Sequence, residues 1–259
     1  MRILKPRWTI EHGIDDHVLE KIEKIGRTCY KSEDRITQDS AAKFVKMLSD
    51  RGHFSVLEHH NITVRFQCDR GVSHELVRHR IGSYSQESTR YCDYSKKKFG
   101  KEVSFIDIRP FVHDVAYEEW LEACGESEKR YFGMLDARAS PQFARGALPN
   151  SVKTEIVTTY NISQWRYVFT KRTTDAAHPQ MCEVMRPLLV AFRRLMPVLF
   201  DDIGVVDPVY KVCPECQCKH FTPATCRTCD WVWGKQPLSD WIALENERSD
   251  QKRLAMKSS

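Results

Sequence analysis

Residues 61–91 read NITVRFQCDRGVSHELVRHRIGSYSQESTRY, and they contain a strand pattern, a helix pattern and a basic segment in succession. Apolar and polar residues alternate from residue 61 to residue 68, a pattern that predicts a half-buried β-strand. Gly71 breaks that strand, and a short helix follows that we expect to end at Gly82. The stretch therefore puts a basic segment at a helix end and in the loop after it, where unpaired backbone N–H groups can serve an anion.

The basic segment carries four side chains that can be cationic within thirteen residues, namely Arg78, His79, Arg80 and Arg90. Planar guanidinium groups bind phosphate through two parallel hydrogen bonds. Small residues around Gly82 let backbone N–H groups approach an anion closely. On composition alone, a site for a phosphorylated ligand and a solvated basic loop explain the segment equally well.

Helix and strand patterns interleave along the rest of the chain without a strict βαβ rhythm. This arrangement predicts an α+β fold with a mixed or antiparallel sheet flanked by helices. The other expected elements are helices from Asp15 or Asp16 to Gly26, from Asp39 or Ser40 to Gly52, from Asp114 to Arg138, from Ser140-Pro141 toward Arg145, over 162–169 and over 179–199, and a strand over 154–160.

The length and charge of the chain bound its function. Its 259 residues are enough for one large domain, or for one domain with a small appendage. The formal net charge of +5 suits small anionic ligands and does not require nucleic acid as a partner. No apolar run approaches the length of a membrane span, and the N-terminus has no apolar stretch of signal-peptide length. We therefore expect a cytoplasmic protein with no membrane partner.

The order of the basic segment is more informative than its composition. Arg78-His79-Arg80 is followed after seven residues by Ser88 and then by Arg90-Tyr91, and this order resembles the signature of the flavin-dependent thymidylate synthases. A long ordered motif is more specific than a short glycine-rich triplet. Three further segments resemble the same family, and the resemblance covers roughly residues 1–205: Gly52–His59, Ala144–Pro149 and Asn161–His178. We therefore expect a catalytic domain over 1–205 and a separate module with a tail over 206–259.

The resemblance implies a reaction and its cofactors. A member of this family transfers a methylene group from methylenetetrahydrofolate to dUMP, and FAD reduced by NADPH converts that group to the methyl of dTMP. Family members are homotetramers whose active sites lie between subunits. Two alternatives remain open: a pyrimidine nucleotide hydroxymethylase of the same fold, which omits the reduction, and, more distantly, a zinc-ribbon protein that binds nucleic acid.

The resemblance also implies a role for each matched residue. Arg172 would be catalytic, because a guanidinium against the uracil ring stabilises developing negative charge without losing a proton. Arg145 would reach the phosphate from another subunit. The expected flavin-binding residues are Ser55, Arg78, His79, Arg80, Gln86, Asn161, Ser163, Tyr167 and His178. The expected nucleotide-binding residues are Glu75, Arg78, Gln86, Glu87, Ser88, Thr89, Arg90, Arg145 and Arg172.

The chain departs from the family pattern at several matched positions. Glu75 stands where a neutral amide usually contacts the nucleotide, and an acid near a phosphate needs a cationic neighbour. Ser163 stands where some members have an arginine on the flavin, and Ser85 and Gln86 also differ from residues found in some members.

Two Cys-x-x-Cys pairs near the C-terminus predict a metal site. Cys213 and Cys216 form the first pair, Cys226 and Cys229 form the second, and nine residues separate the pairs. Four thiolates complete a tetrahedral Zn²⁺ shell, and a redox or disulfide pair is the less favoured alternative in a reducing compartment. We therefore expect a small C-terminal zinc knuckle outside the family core, whose metal binding contributes its folding energy.

Overall fold

A computed structural model describes residues 1–204 and the short segments 210–212, 219–220 and 232–233. The chain divides into two compact units, Met1–Val206 and Asp207–Ser259. The four expected zinc ligands lie outside the described residues: Cys213, Cys216, Cys226 and Cys229.

The first unit is built on an antiparallel sheet. Its strands are β1 (Arg2–Leu4), β2 (Arg7–His12), β3 (Asn61–Asp69), β4 (Ser83–Gln86), β5 (Ser104–Ile106) and β6 (Lys153–Asn161). The main sheet has the order β2-β3-β6-β4 with every neighbouring pair antiparallel, and β1 pairs separately with β5 in parallel. The α+β prediction is confirmed, and the main sheet is of the antiparallel kind.

Eight α-helices accompany these strands in residues 1–204. They are α1 (Val18–Thr28), α2 (Ser40–Asp50), α3 (Arg70–Leu76), α4 (Asp114–Asp136), α5 (Pro141–Ala144), α6 (Ile162–Arg172), α7 (Pro179–Leu195) and α8 (Pro197–Phe200). Short 3-10 turns cover Glu33–Arg35, Phe54–His59, Lys97–Phe99, Arg109–Phe111 and Arg145–Ala147. None of the helices described is both long and apolar enough to cross a lipid bilayer.

The second unit contains three short described strands. These are β7 (Tyr210–Val212), β8 (Lys219–His220) and β9 (Val232–Trp233), and β7 pairs antiparallel with both of the others.

Strand β3 is more buried than its alternating sequence predicts. Thr63 and Gln67 were expected on a solvent face, yet both are buried. The Thr63 hydroxyl lies 2.8 Å from the Thr159 hydroxyl, and the Gln67 amide donates to the Lys5 carbonyl at 3.0 Å. The strand and its buried apolar face are confirmed, whereas the second face is more buried than predicted, because β3 is a central strand between β2 and β6, where polar side chains find partners inside the protein.

Helix α6 is anchored on this sheet by its indole. The Trp165 ring is fully buried, and its Nε1–H donates to the Ile62 carbonyl of β3 at 3.0 Å. The same ring lies edge-on to Tyr160 and stacks with Phe169, at centroid distances of 4.7 and 5.4 Å. Aromatic contacts of this kind add to the free energy of burial, so α6 has a fixed position over the sheet.

The segment after α3 differs from the sequence-based expectation. The helix begins at a true N-cap, where the Asp69 carboxylate accepts from the Val72 N–H at 2.6 Å. It ends at Leu76 rather than at Gly82, and the Leu76 carbonyl there accepts from the His79 N–H and from the Tyr84 and Tyr160 hydroxyls. Residues expected to be a loop then form β4, which pairs with the edge of β6.

Two other helix ends also differ. Helix α1 continues through Gly26 to Thr28, and the glycine instead lets α1 approach Phe44 of α2, whose ring would lie 2.7 Å from an added Cβ. Helix α7 stops at Leu195 instead of near Leu199, because Pro197 cannot continue it and opens α8. The short strands β1, β2 and β5 were not expected from the sequence.

Gly82 has no room for a side chain, so a substitution to alanine at this position should destabilise the protein. An added Cβ would lie 2.3 Å from Tyr160 Cε1 and 3.2 Å from the Thr159 carbonyl oxygen. We expect Gly82→Ala to lower the free energy of unfolding by about 1–3 kcal/mol. Gly133→Ala is the matched control, because an added Cβ there meets nothing within 4 Å in α4. It should raise stability by about 0.5–1 kcal/mol.

Chemical denaturation of both variants beside the wild type measures these changes. Equal stability of Gly82→Ala and the wild type would contradict the close contact between Gly82 and Tyr160.

Candidate active site

A cavity of about 530 Å³ lies where the segment after α3 meets helix α6. Its lining residues are Arg78, His79, Arg80 and Ile81 from the segment, and Gln164, Tyr167, Lys171 and Arg172 from the helix. The helical residues Gln164, Tyr167 and Lys171 are three and four positions apart, so they share one face of α6. The fold thus brings two parts of the chain that lie far apart in sequence into one site.

The cavity is rich in positive charge. Arg78, Arg80, Lys171 and Arg172 supply four cations to its lining. Arg172 pairs with Glu75, whereas the other three form no ion pair with any residue in the part of the chain that the structure describes. A concave site with unpaired guanidinium and ammonium groups attracts an anionic ligand.

Arg172 is held on all three of its guanidinium nitrogens. Nη1 donates to the Glu75 carboxylate at 2.7 Å, and Nη2 donates to the Glu75 backbone carbonyl at 3.3 Å. Nε donates to His79 Nε2 at 3.0 Å. The guanidinium plane is therefore fixed against α3 and the segment that follows it.

The Arg172 contact also defines the protonation state of His79. The pKa of His79 is lowered to about 4, because burial disfavours the imidazolium and the Arg172 cation repels it. A neutral ring that accepts at Nε2 carries its proton on Nδ1. The ring lies edge-on to Tyr160 and Tyr167, with centroids 6.5 and 6.0 Å away, and Tyr84 donates to the His79 carbonyl. His79 is thus a fixed neutral acceptor for Arg172.

A second cluster surrounds the segment Ser88–Arg90. Arg145 Nη1 approaches the Thr89 hydroxyl at 3.4 Å, and Arg90 Nε donates to the Gln142 side-chain oxygen at 3.2 Å. Thr89 is buried, while Arg90 and Arg145 are exposed. Arg145 therefore reaches the predicted phosphate-binding segment of its own chain, and its expected role across a subunit boundary stays a prediction.

Glu87 supports this cluster from behind. Its carboxylate accepts from the Tyr94 hydroxyl at 3.1 Å and from Lys153 Nζ at 2.9 Å. Lys153 also pairs with Glu155 at 3.2 Å. With both oxygens engaged inside the protein, Glu87 fixes the backbone that leads into Ser88, and its expected contact with a nucleotide stays a prediction.

Two expected ligand residues use their side chains inside the protein. The Gln86 amide donates to the Ser73 hydroxyl at 2.8 Å and to the Thr154 hydroxyl at 3.2 Å. The Asn161 side-chain oxygen caps α6 by accepting from the Gln164 N–H at 2.7 Å. Gln86 thereby ties β4 to α3 and β6, while Asn161 sets the start of the helix that lines the cavity.

Three other expected flavin-binding residues lie apart from the cavity lining. Ser55 is exposed in the turn Phe54–His59, Ser163 is half-buried in the first turn of α6, and His178 is exposed at the start of α7. Within the described residues, no group of three or more His, Cys, Asp or Glu side chains could hold a metal ion.

The sequence prediction missed three residues that line the cavity: Ile81, Gln164 and Lys171. The helical spacing of Gln164 and Lys171 with Tyr167 was the signal that could have found two of them. This spacing identifies cavity residues only once the structure shows which face of α6 lies against the basic segment.

Comparisons with known proteins agree on one family. The family model described as thymidylate synthase complementing protein matches residues 15–198. A flavin-dependent thymidylate synthase of Corynebacterium aurimucosum is 30% identical over 211 residues, which cover 76% of this chain and 84% of the relative. One of Pyrococcus furiosus is 30% identical over 193 residues, covering 74% of this chain and 76% of the relative.

Solved structures share the fold. Thymidylate synthase X from Helicobacter pylori, solved with FAD and dUMP, has a TM-score of 0.62 and 20% identity, covering 76% of this chain and 98% of its own. The UMP/dUMP methylase PolB from Streptomyces cacaoi, bound with 5-Br dUMP, has a TM-score of 0.63 and 20% identity, covering 80% of this chain and 100% of its own.

The lowered pKa of His79 predicts a pH-dependent loss of stability. The unfolded chain takes up a proton on this ring near pH 6.5, and the folded chain takes it up only near pH 4. Between these values the unfolded state binds more protons, so the free energy of unfolding falls as the pH falls. His79→Gln should remove this pH-dependent component of the unfolding free energy, which amounts to up to about 3 kcal/mol, because an amide oxygen accepts from Arg172 without titrating.

Urea denaturation across this pH interval tests the prediction, with His12→Gln at an exposed histidine of β2 as the control. An unchanged pH dependence in His79→Gln would show that the ring does not titrate in this way.

Proposed function

This chain belongs to the thymidylate synthase complementing protein family, and we propose that it is an enzyme that synthesises dTMP from dUMP with a flavin cofactor. The observation that carries the proposal is the fixed Arg172 guanidinium at the edge of a cationic cavity. The carbon donor is methylenetetrahydrofolate, and NADPH is the reductant.

The cavity residues fit FAD. Arg78 and Arg80 line the cavity and form no ion pair within the described residues, so their guanidinium groups suit the two phosphates of a dinucleotide. Tyr167 is 52% exposed and offers an aromatic surface beside them for a flat ring. When bound, the flavin supplies the hydride that converts the transferred one-carbon unit to a methyl group. Lys171 adds a further cation to the same wall.

Arg172 supplies the electrostatic part of the reaction. Carbon 5 of uracil becomes nucleophilic only when negative charge develops on the ring nitrogen and oxygen atoms. A guanidinium that is already fixed can stabilise this charge without reorganising at the moment of reaction. The three hydrogen bonds to Glu75 and His79 supply that fixed position.

The second cluster suits the phosphate of dUMP. Ser88 offers a hydroxyl, Arg90 and Arg145 offer guanidinium groups, and the backbone of this segment turns tightly, since the Cys92 N–H donates to the Ser88 carbonyl at 2.8 Å. The ion pair between Glu87 and Lys153 is electrically neutral and holds the segment Ser88–Arg90 in place. This arrangement supports binding of a nucleotide monophosphate.

The assembly we propose is a homotetramer with active sites shared between subunits. Large apolar side chains lie exposed beside both clusters of the single chain, which supports a neighbouring subunit that covers them. Their exposed fractions are 68% for Ile81, 74% for Tyr91 and 67% for Phe143.

The C-terminal module, residues 206–259, is proposed as a separate structural zinc knuckle held by the two Cys-x-x-Cys pairs. Four cysteines of the catalytic unit are free thiols, which supports a reducing, cytoplasmic location: Cys29, Cys68, Cys92 and Cys124.

Loss of the Arg172 guanidinium should lower turnover strongly. We expect Arg172→Gln to reduce the rate of dTMP formation by roughly 100-fold or more, the scale of losing a preorganised electrostatic donor. Arg130→Gln is the control, since this exposed arginine of α4 pairs only with Glu126 among the described residues. Initial rates with FAD, dUMP, methylenetetrahydrofolate and NADPH measure the effect.

The mass of the product identifies the reaction. A methylated nucleotide supports the proposal, and a hydroxymethylated one assigns the chain to hydroxymethyl transfer without reduction. A flavin-loaded protein that leaves dUMP unchanged would refute both.

A further inference from the structure

The contacts around Arg172 point to a role for Glu75. Glu75 is the acidic residue that pairs with a cation of the cavity, and it does so with both its carboxylate and its backbone carbonyl. The side chains of Glu75 and Arg172 are 33% and 21% exposed, so the pair is partly shielded from water. A charge-assisted hydrogen bond in such a position is stronger and more directional than one on an open surface.

The hydrogen bonds of Arg172 leave two of its guanidinium N–H donors without a partner among the described residues. A guanidinium has five N–H donors. Within the described residues, Glu75 takes two of them and His79 takes one, which leaves one N–H on each Nη. These two donors are available to a ligand, and their direction is set by the contacts that hold the other three.

The position of Arg172 is further supported from the C-terminal side of α6. Arg186 of α7 donates to the Thr173 carbonyl at 2.8 Å and pairs with Asp175 at 2.5 Å. The backbone directly after Arg172 is therefore tied to α7, while the guanidinium itself is tied to α3. The side chain is clamped at both ends, and Glu75 makes two of the three contacts at its charged end.

We infer that Glu75 is a positioning residue, which orients the Arg172 guanidinium toward the nucleotide through its carboxylate and does not itself bind the nucleotide. This inference rests on the proposed function. It differs from the role that the family resemblance implies for this position, which is a direct contact with the substrate. The acid at position 75 then has the cationic neighbour it needs, and that neighbour is Arg172.

A double-mutant cycle tests whether Glu75 acts through Arg172. We expect Glu75→Ala to lower kcat by about 10- to 100-fold, the scale expected when a catalytic group loses its orientation. Glu75→Gln should stay within about threefold of the wild type, because its amide oxygen can still accept from Nη1. In an Arg172→Gln background, Glu75→Ala should change kcat by less than about twofold. Glu119→Gln, at an exposed residue of α4, is the control for a change of charge.

Other outcomes would overturn the inference. If the fold-changes in kcat caused by Glu75→Ala and by Arg172→Gln multiply in the double variant, Glu75 does not act through Arg172. If Glu75→Ala mainly alters the KM for dUMP while kcat is kept, Glu75 contacts the nucleotide directly. If Glu75→Gln is as impaired as Glu75→Ala, the hydrogen bond to Nη1 is not what matters. Equal flavin content, at an assay temperature well below the melting temperature of every variant, excludes a merely structural loss.

The proposed function and this inference fail in different ways. A wild-type protein that forms no dTMP refutes the function, and the same cycle measured on unfolding free energies still reports whether Glu75 and Arg172 are coupled. If the wild type is active but the effects of the two substitutions on the activation free energy are additive, only the role of Glu75 is refuted.

Discussion

The pairing of β3 with β6 is the constraint on which the site depends. Nine residue pairs run from Asn61↔Asn161 to Asp69↔Lys153, so each strand ends where the other begins. Helix α3 leaves one end of this ladder and α6 leaves the other, each directly after its strand. Nine-residue strands span about 30 Å, while the seven residues of α3 and the eleven of α6 together span about 27 Å. These lengths are similar, and Glu75 and Arg172, near the C-terminal ends of the two helices, come into contact, with Arg172 Nη1 donating to the Glu75 carboxylate at 2.7 Å.

The cavity and the second cluster differ in how their charges are balanced. At the junction of α3 and α6, four cations face one carboxylate, so the cavity favours an anion. At the second cluster, Glu87 and Lys153 compensate each other, and Arg90 and Arg145 remain exposed. His79 is neutral, which fits this charge distribution, because an imidazolium beside Arg172 would repel its guanidinium. The two clusters suit two anionic ligands, and the Arg172 guanidinium is fixed, as its proposed electrostatic role requires.

Local patterns in the sequence were enough to predict β3, β6, α6 and the basic segment, since each has its own periodicity or composition. They were not enough for β4, because Ser83, Ser85 and Gln86 have little strand propensity and become a strand only against the edge of β6. The contact between Glu75 and Arg172 joins residues 97 positions apart, and no local pattern carries it. The family resemblance selected these residues as ligands, whereas their partners inside the protein follow only from the fold.

The proposed function depends on flavin binding in the cavity between the α3–β4 segment and α6. The most direct test is the visible absorption spectrum of the full chain after reconstitution with FAD and gel filtration. We expect a retained flavin band that NADPH bleaches, and loss of that band when Arg78 and Arg80 are both changed to Ala. A wild-type protein that stays colourless, or a double variant that keeps the band unchanged, would contradict it.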